Sequence, residues 1–102
     1  MEILLLGETI TADEALDIGL INAVVAPDQV MASAHEYAER LAANGPLAVQ
    51  KIKEAAWRTS GLPIDEAHAI ENDLAAEVMM SRDAREGPRA FMEKRRPDFT
   101  GT

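Results

Sequence analysis

Two breaker clusters, Asn44-Gly45-Pro46 and Ser60-Gly61-Leu62-Pro63, constrain this chain more than any other feature. They bound segments too long for ordinary strands and patterned for helices. Residues 46–59 place Val49, Ile52, Ala55 and Ala56 on one face, with Lys51, Lys53, Glu54 and Arg58 largely elsewhere. Residues 64–80 repeat the pattern with Ala67, Ile70, Leu74 and Val78 and end in Met79-Met80. Residues 28–43, opened by Pro27-Asp28, carry Val30, Ala34, Tyr37, Ala38 and Leu41 on one stripe. Asn44 and Gly45 suit a helix C-cap, and Pro46 suits the first position of the next helix, where its missing N–H costs nothing.

The flanks follow the same logic. Residues 1–6 are apolar with no cap in front, and read as the end of a cut helix or strand. Thr11 followed three residues later by Glu14 forms a capping box, predicting a short helix over 12–18 that stops at Gly19. The β-branched run "LINAVVA" (20–26) predicts one short strand. Ser81 or Asp83 caps a last helix reaching about Arg95 and stopped by Pro97. Gly87-Pro88 falls either in its first turn or at a restart. The fold class expected is therefore mostly α, with one short strand.

Composition narrows the function. A length of 102 residues allows one domain at most, with a modest stability margin. Hydrophobic residues make up 47% and aromatics only 4%, so the core is aliphatic and Ala-rich. No apolar run approaches the roughly 18 residues of a membrane span. Met1-Glu2 offers no signal-peptide n-region, and the absence of cysteine excludes disulfides, thiol catalysis and Cys-based zinc sites. A cytoplasmic location without membrane attachment is expected.

The net charge is −8, yet six of the ten Lys/Arg fall between Arg82 and Arg96. A nucleic-acid binder would be basic overall, so no nucleic-acid partner is expected. A basic tip on an acidic body suits a small anionic ligand or an acidic partner. The competing reading is a solvated helix end, whose dipole favours cations. Phe91 and Lys94 stand three apart, as neighbours on one helix face. A ring beside an ammonium holds a flat base and a phosphate together, the ring stacking and the cation pairing. They are the candidate ligand-binding residues.

Little else carries chemistry. His35 and His68 have no metal-ligand spacing partner, so no metal site is expected. Glu71, Asp73 and Glu77 read as a solvated acidic face. Ser33, Ser60 and Ser81 lack a nucleophile elbow, and the six glycines are scattered singly. No catalytic residue is assigned.

Three stretches, "GETITADEALDIGLINAVVAPDQV" (7–30), "NGPLAVQKIKEA" (44–55) and "DAREGPRAFMEKRRPDFTG" (83–101), together resemble the C-terminal portion of the enoyl-CoA hydratase/isomerase, or crotonase, family. The resemblance runs in order over nearly the whole chain. It implies the helical trimerisation segment of a crotonase-like α/β fold, with residues 1–26 ending the core and 27–102 forming the oligomerisation and CoA-proximal region. It implies an acyl-CoA substrate, no separate cofactor, and a homo-oligomer, trimer or hexamer, or association with a full-length crotonase. Family members are more than twice this length. Their front portion supplies two oxyanion-hole amides and the acidic residues that move protons, so Glu8, Glu14, Glu54 and Glu71 are given no catalytic part. The resemblance places Phe91 and Lys94 beside the CoA adenine and phosphates. Water addition to a 2-enoyl thioester is the reaction it most directly implies for a full-length protein. The alternatives are a freestanding helical self-association module or a freestanding CoA-binding module.

Overall fold

The computed structural model describes residues 2–102. Among the described residues six helices follow one another: α1 (Glu2–Leu6), α2 (Ala12–Asp17), α3 (Val30–Ala42), α4 (Pro46–Thr59), α5 (Ile64–Met80) and α6 (Asp83–Met92), with a 3₁₀ turn at Pro27–Gln29. The chain divides into two units, the first ending at Glu36 and the second covering Tyr37–Thr102.

In the first unit the capping box forms as its spacing requires. The Thr11 hydroxyl accepts the Glu14 N–H at 3.2 Å, and the Glu14 carboxylate accepts the Thr11 N–H at 2.7 Å. These bonds, the backbone one foremost, lower the Glu14 pKa. α2 ends in a Schellman motif. Gly19, at φ +73, donates to the Leu16 carbonyl at 2.9 Å, and Leu20 donates to Ala15 at 2.8 Å. The expected strand over 20–26 is not there: residues 18–26 run as turn and extended coil, and no strand occurs among the described residues. A strand is completed by its neighbours, and a lone β-branched run has none to pair with. α1 covers Glu2–Leu6, so the apolar opening, readable as helix or strand, is helical, while Met1 lies outside the described residues.

In the second unit, α4 and α5 occupy the segments set by the breakers, Pro46–Thr59 and Ile64–Met80. Lys51 of α4 ion-pairs with Glu77 of α5 and, within α4, with Glu54 at 3.4 Å. α3, which begins in the first unit and ends in the second, starts three residues beyond Pro27, after the 3₁₀ turn. The Asn44 side chain closes α3 by donating to the Arg40 carbonyl at 2.9 Å. Ser81 serves two helices. Its N–H donates to Val78 at 3.1 Å, ending α5, and its hydroxyl accepts the Ala84 N–H at 3.1 Å, opening α6. Gly87-Pro88 neither restarts nor breaks α6, which runs through Pro88 to Met92. The helix stops about three residues short of Arg95.

The core is thin. Among the described residues the buried apolar ones are Ala15, Ala67, Leu74 and Ala90, and no large side chain is fully buried. Leu74, 4% exposed, is the only large one among them. Ile52, Trp57, Met79, Met80, Phe91 and Met92 stand in the open. The accessible surface is 8600 Å². A folded monomer of this mass exposes about 5,700 Å², and roughly 6,800 Å² if the two units are counted as separate domains. The helices thus form with their apolar faces uncovered. One such face is a groove of about 480 Å³ between α4 and α5, lined by Ile52, Ala55, Leu74, Ala75, Val78 and Met79. Among the described residues no helix is long and apolar enough to cross a membrane.

Candidate functional site

The basic tip is built by α6 and the segment that follows it, and two carboxylates on α6 organise that segment. Asp83, only 7% exposed, accepts the backbone N–H groups of Thr100 and Gly101, each at 2.8 Å, and the Thr100 hydroxyl at 3.3 Å. The Thr100 amide above all holds its pKa below the usual carboxylate range. The Arg82 N–H donates to the Thr102 carbonyl at 2.7 Å, tying the same segment from the backbone side. One turn later, Glu86 receives both terminal nitrogens of Arg95, the second at 3.0 Å, and the Asp98 N–H at 2.9 Å. Arg95 lowers the Glu86 pKa to about 2, with help from the Asp98 amide. Arg95 also reaches Glu93 through Nε at 2.6 Å, and its own pKa is raised, chiefly by Glu86.

Between these anchors the chain turns sharply. Lys94 donates its N–H to Phe91 at 3.1 Å, and Arg95 donates to Ala90 at 3.0 Å. This is the same Schellman pattern that ends α2, with Lys94 where α2 has Gly19. Lys94 accordingly has φ +53, the single non-glycine residue with positive φ among those described. An L-residue there carries a steric cost of about 1 to 2 kcal/mol that glycine avoids.

This alters the sequence-based geometry. Lys94 does not share a helix face with Phe91, because α6 ends at Met92 and the left-handed turn redirects the chain. The two residues remain coupled through the Lys94 N–H and the Phe91 carbonyl. The Phe91 ring is 81% exposed on the last turn of α6, with Met92 beside it. Among the described residues Lys94 and Arg96 enter no ion pair, whereas Arg89 pairs with Glu93 at 3.3 Å and Arg95 is held by Glu86 and Glu93. Phe99 differs from Phe91. It packs against Gly45 and Gly87, within 3.9 Å of where a Cβ would stand at each.

Asp83 and Glu86 were not apparent as organisers from the sequence, since their partners lie 9 to 18 residues away, beyond any helical period. No group of His, Asp and Glu able to hold a metal occurs among the described residues. His35 and His68 are exposed, on α3 and α5. Glu14 serves the capping box, Glu54 pairs with Arg58 at 2.8 Å, and Glu71 lines the α4–α5 groove.

Comparison with known proteins places this geometry in a family. A family model described as enoyl-CoA hydratase/isomerase matches residues 1–102. Enoyl-CoA hydratase EchA19 of Mycobacterium tuberculosis is 47% identical over 98 residues, covering 96% of this chain and 37% of that protein. The carnitinyl-CoA dehydratase of Salmonella typhi is 38% identical over 104 residues, covering 98% and 40%. The crystal structure of enoyl-CoA hydratase EchA1 from Mycobacterium marinum superposes with a TM-score of 0.92 at 36% identity, covering 100% of this chain and 40% of that one. The chain thus spans about two fifths of the length of the curated relatives it matches. Matched from end to end by the family model, and nearly so by these relatives, the chain belongs to the enoyl-CoA hydratase/isomerase family.

Proposed function

We propose that this chain supplies the subunit-association layer and one wall of the CoA pocket of an acyl-CoA-processing enzyme, with hydration of a 2-enoyl-CoA as the reaction of the complete protein. It corresponds to the C-terminal part of its relatives, residues 27–102 being the association and CoA-proximal region. Its contribution is binding rather than bond-making. The oxyanion-hole amides and the proton-moving acids come from outside this stretch.

The observation that carries the proposal is the tip: an exposed Phe91 ring on the last turn of α6 and, in the left-handed turn that follows, a Lys94 that enters no ion pair among the described residues, next to an arginine that is already paired. The ring offers its face to the adenine, and the ammonium pairs with a phosphate of the nucleotide. The uncovered apolar faces, Trp57 at 77% exposure among them, support burial against other subunits as a trimer or hexamer, or against a full-length relative. The surface excess over a folded monomer, about 1,800 to 2,900 Å², is of the size that obligate interfaces bury.

The test uses the full-length protein that carries this sequence, a short 2-enoyl-CoA substrate, and free CoA as a ligand. Phe91→Ala and Lys94→Ala are each expected to raise Kd and KM about tenfold with kcat unchanged, since both remove binding common to substrate and transition state. Parent-like CoA binding by both variants would overturn the proposal and leave the tip as a solvated helix end.

A further inference from the structure

The Schellman turn after α6 does not need a lysine. The turn after α2 makes the same pair of hydrogen bonds around Gly19, at φ +73. At Lys94 a long cationic side chain is forced into the backbone conformation that glycine takes freely, at φ +53. Such an outlier persists where its surroundings over-determine it. Those surroundings are visible. Glu86 grips Arg95 through both carboxylate oxygens and the Asp98 N–H through one of them, so residues 95–98 are folded back onto the second turn of α6. Glu93 holds the Arg95 Nε from the other side. The residues flanking Lys94 are thus fixed, and its left-handed conformation is fixed with them.

We infer that Arg95, clamped by Glu86, is a positioning residue that holds Lys94 in its left-handed conformation and so aims the ammonium at the anionic group of the ligand, without touching that ligand itself. The inference rests on the assignment of Lys94 to CoA binding and adds what makes that lysine effective. A free lysine samples many directions and loses that freedom on binding. A lysine whose backbone is fixed beforehand loses less. Arg95 suits the task better than lysine would, because only its planar fork meets both Glu86 oxygens at once.

The test is a double-mutant cycle on free-CoA affinity in the full-length protein. Lys94→Ala, Arg95→Gln and the pair Lys94→Ala/Arg95→Gln are compared with the parent by calorimetric titration. Arg95→Gln is expected to weaken CoA binding roughly threefold or more in the parent and to have no further effect once Lys94 is alanine. Equal weakening in both backgrounds would overturn the inference, since Arg95 would then act on the ligand or on the fold independently of Lys94. Parent-like affinity of Arg95→Gln alone would overturn it too. Parent-like affinity of Lys94→Ala would instead defeat the underlying assignment, and is read from a different arm of the cycle. Arg95→Lys gives a second arm if the glutamine variant does not fold. It keeps the charge and loses the fork, so it must also weaken binding in the parent and be silent beside Lys94→Ala. The charge swap Glu86→Arg/Arg95→Glu restores the pair and is expected to recover part of the affinity that Arg95→Glu alone loses.

Discussion

Replacing Lys94 separates what the turn wants from what the ligand wants. At φ +53 an L-side chain costs about 1 to 2 kcal/mol relative to glycine. Glycine gives back about 0.5 to 1 kcal/mol, because it frees the unfolded chain. Lys94→Gly is therefore expected to stabilise the protein by roughly 0.5 to 1 kcal/mol. Lys94→Asn keeps a side chain that tolerates the left-handed region and should be neutral or mildly stabilising. Lys94→Val, β-branched and disfavoured there, should destabilise by about 1 kcal/mol or more. Urea denaturation followed by circular dichroism measures all three, with stability read from the midpoint at constant m. The glycine variant should gain stability while losing CoA affinity, a divergence that a lysine retained only for the fold would not show. A glycine variant less stable than the parent by more than about 0.5 kcal/mol, or a valine variant as stable as the parent, would refute the strain argument.

Leu74→Ala removes the single large buried side chain of the α4–α5 pair; the adjoining groove is already open, so the loss should fall near the low end of the usual range, about 2 to 3 kcal/mol. A urea midpoint corresponding to less than about 1 kcal/mol would mean that α4 and α5 do not depend on that contact. Glu86 has its pKa lowered from 4.5 to about 2, so its contribution to stability is complete above about pH 4.5 and drains away as pH falls toward 2. Thermal melts across that window should show a shallower acid loss in Glu86→Gln than in the parent; identical slopes would mean that the Arg95 clamp does not form in solution.

Much of the helical order was legible because it is local. Pro46 and Pro63 fix where α4 and α5 begin, the apolar stripes fix their faces, and Thr11, Glu14 and Gly19 fix both ends of α2. Residues 20–26 form no strand because β-branched residues favour one only when a neighbour completes the ladder. The end of α6 is hidden in the sequence, which marks no left-handed residue there: a lysine stands where a glycine would announce the turn. Pro88 within α6 was undecidable because tertiary context sets whether a helix tolerates a lost hydrogen bond. At the site, the proposed ligand-binding pair Phe91 and Lys94 rests on local spacing and on the resemblance. The Asp83 and Glu86 clamps could not, since nothing local links them to Thr100, Gly101, Arg95 and Asp98.

The central claim is that these helices are built to be covered. Sedimentation equilibrium of residues 1–102 alone, with thermal melting of the same sample, tests it most directly. The 8600 Å² of accessible surface predicts self-association, or a loosely packed species that binds hydrophobic dye and melts without a sharp transition. A monodisperse monomer of 11.1 kDa with a sharp two-state melt would contradict it.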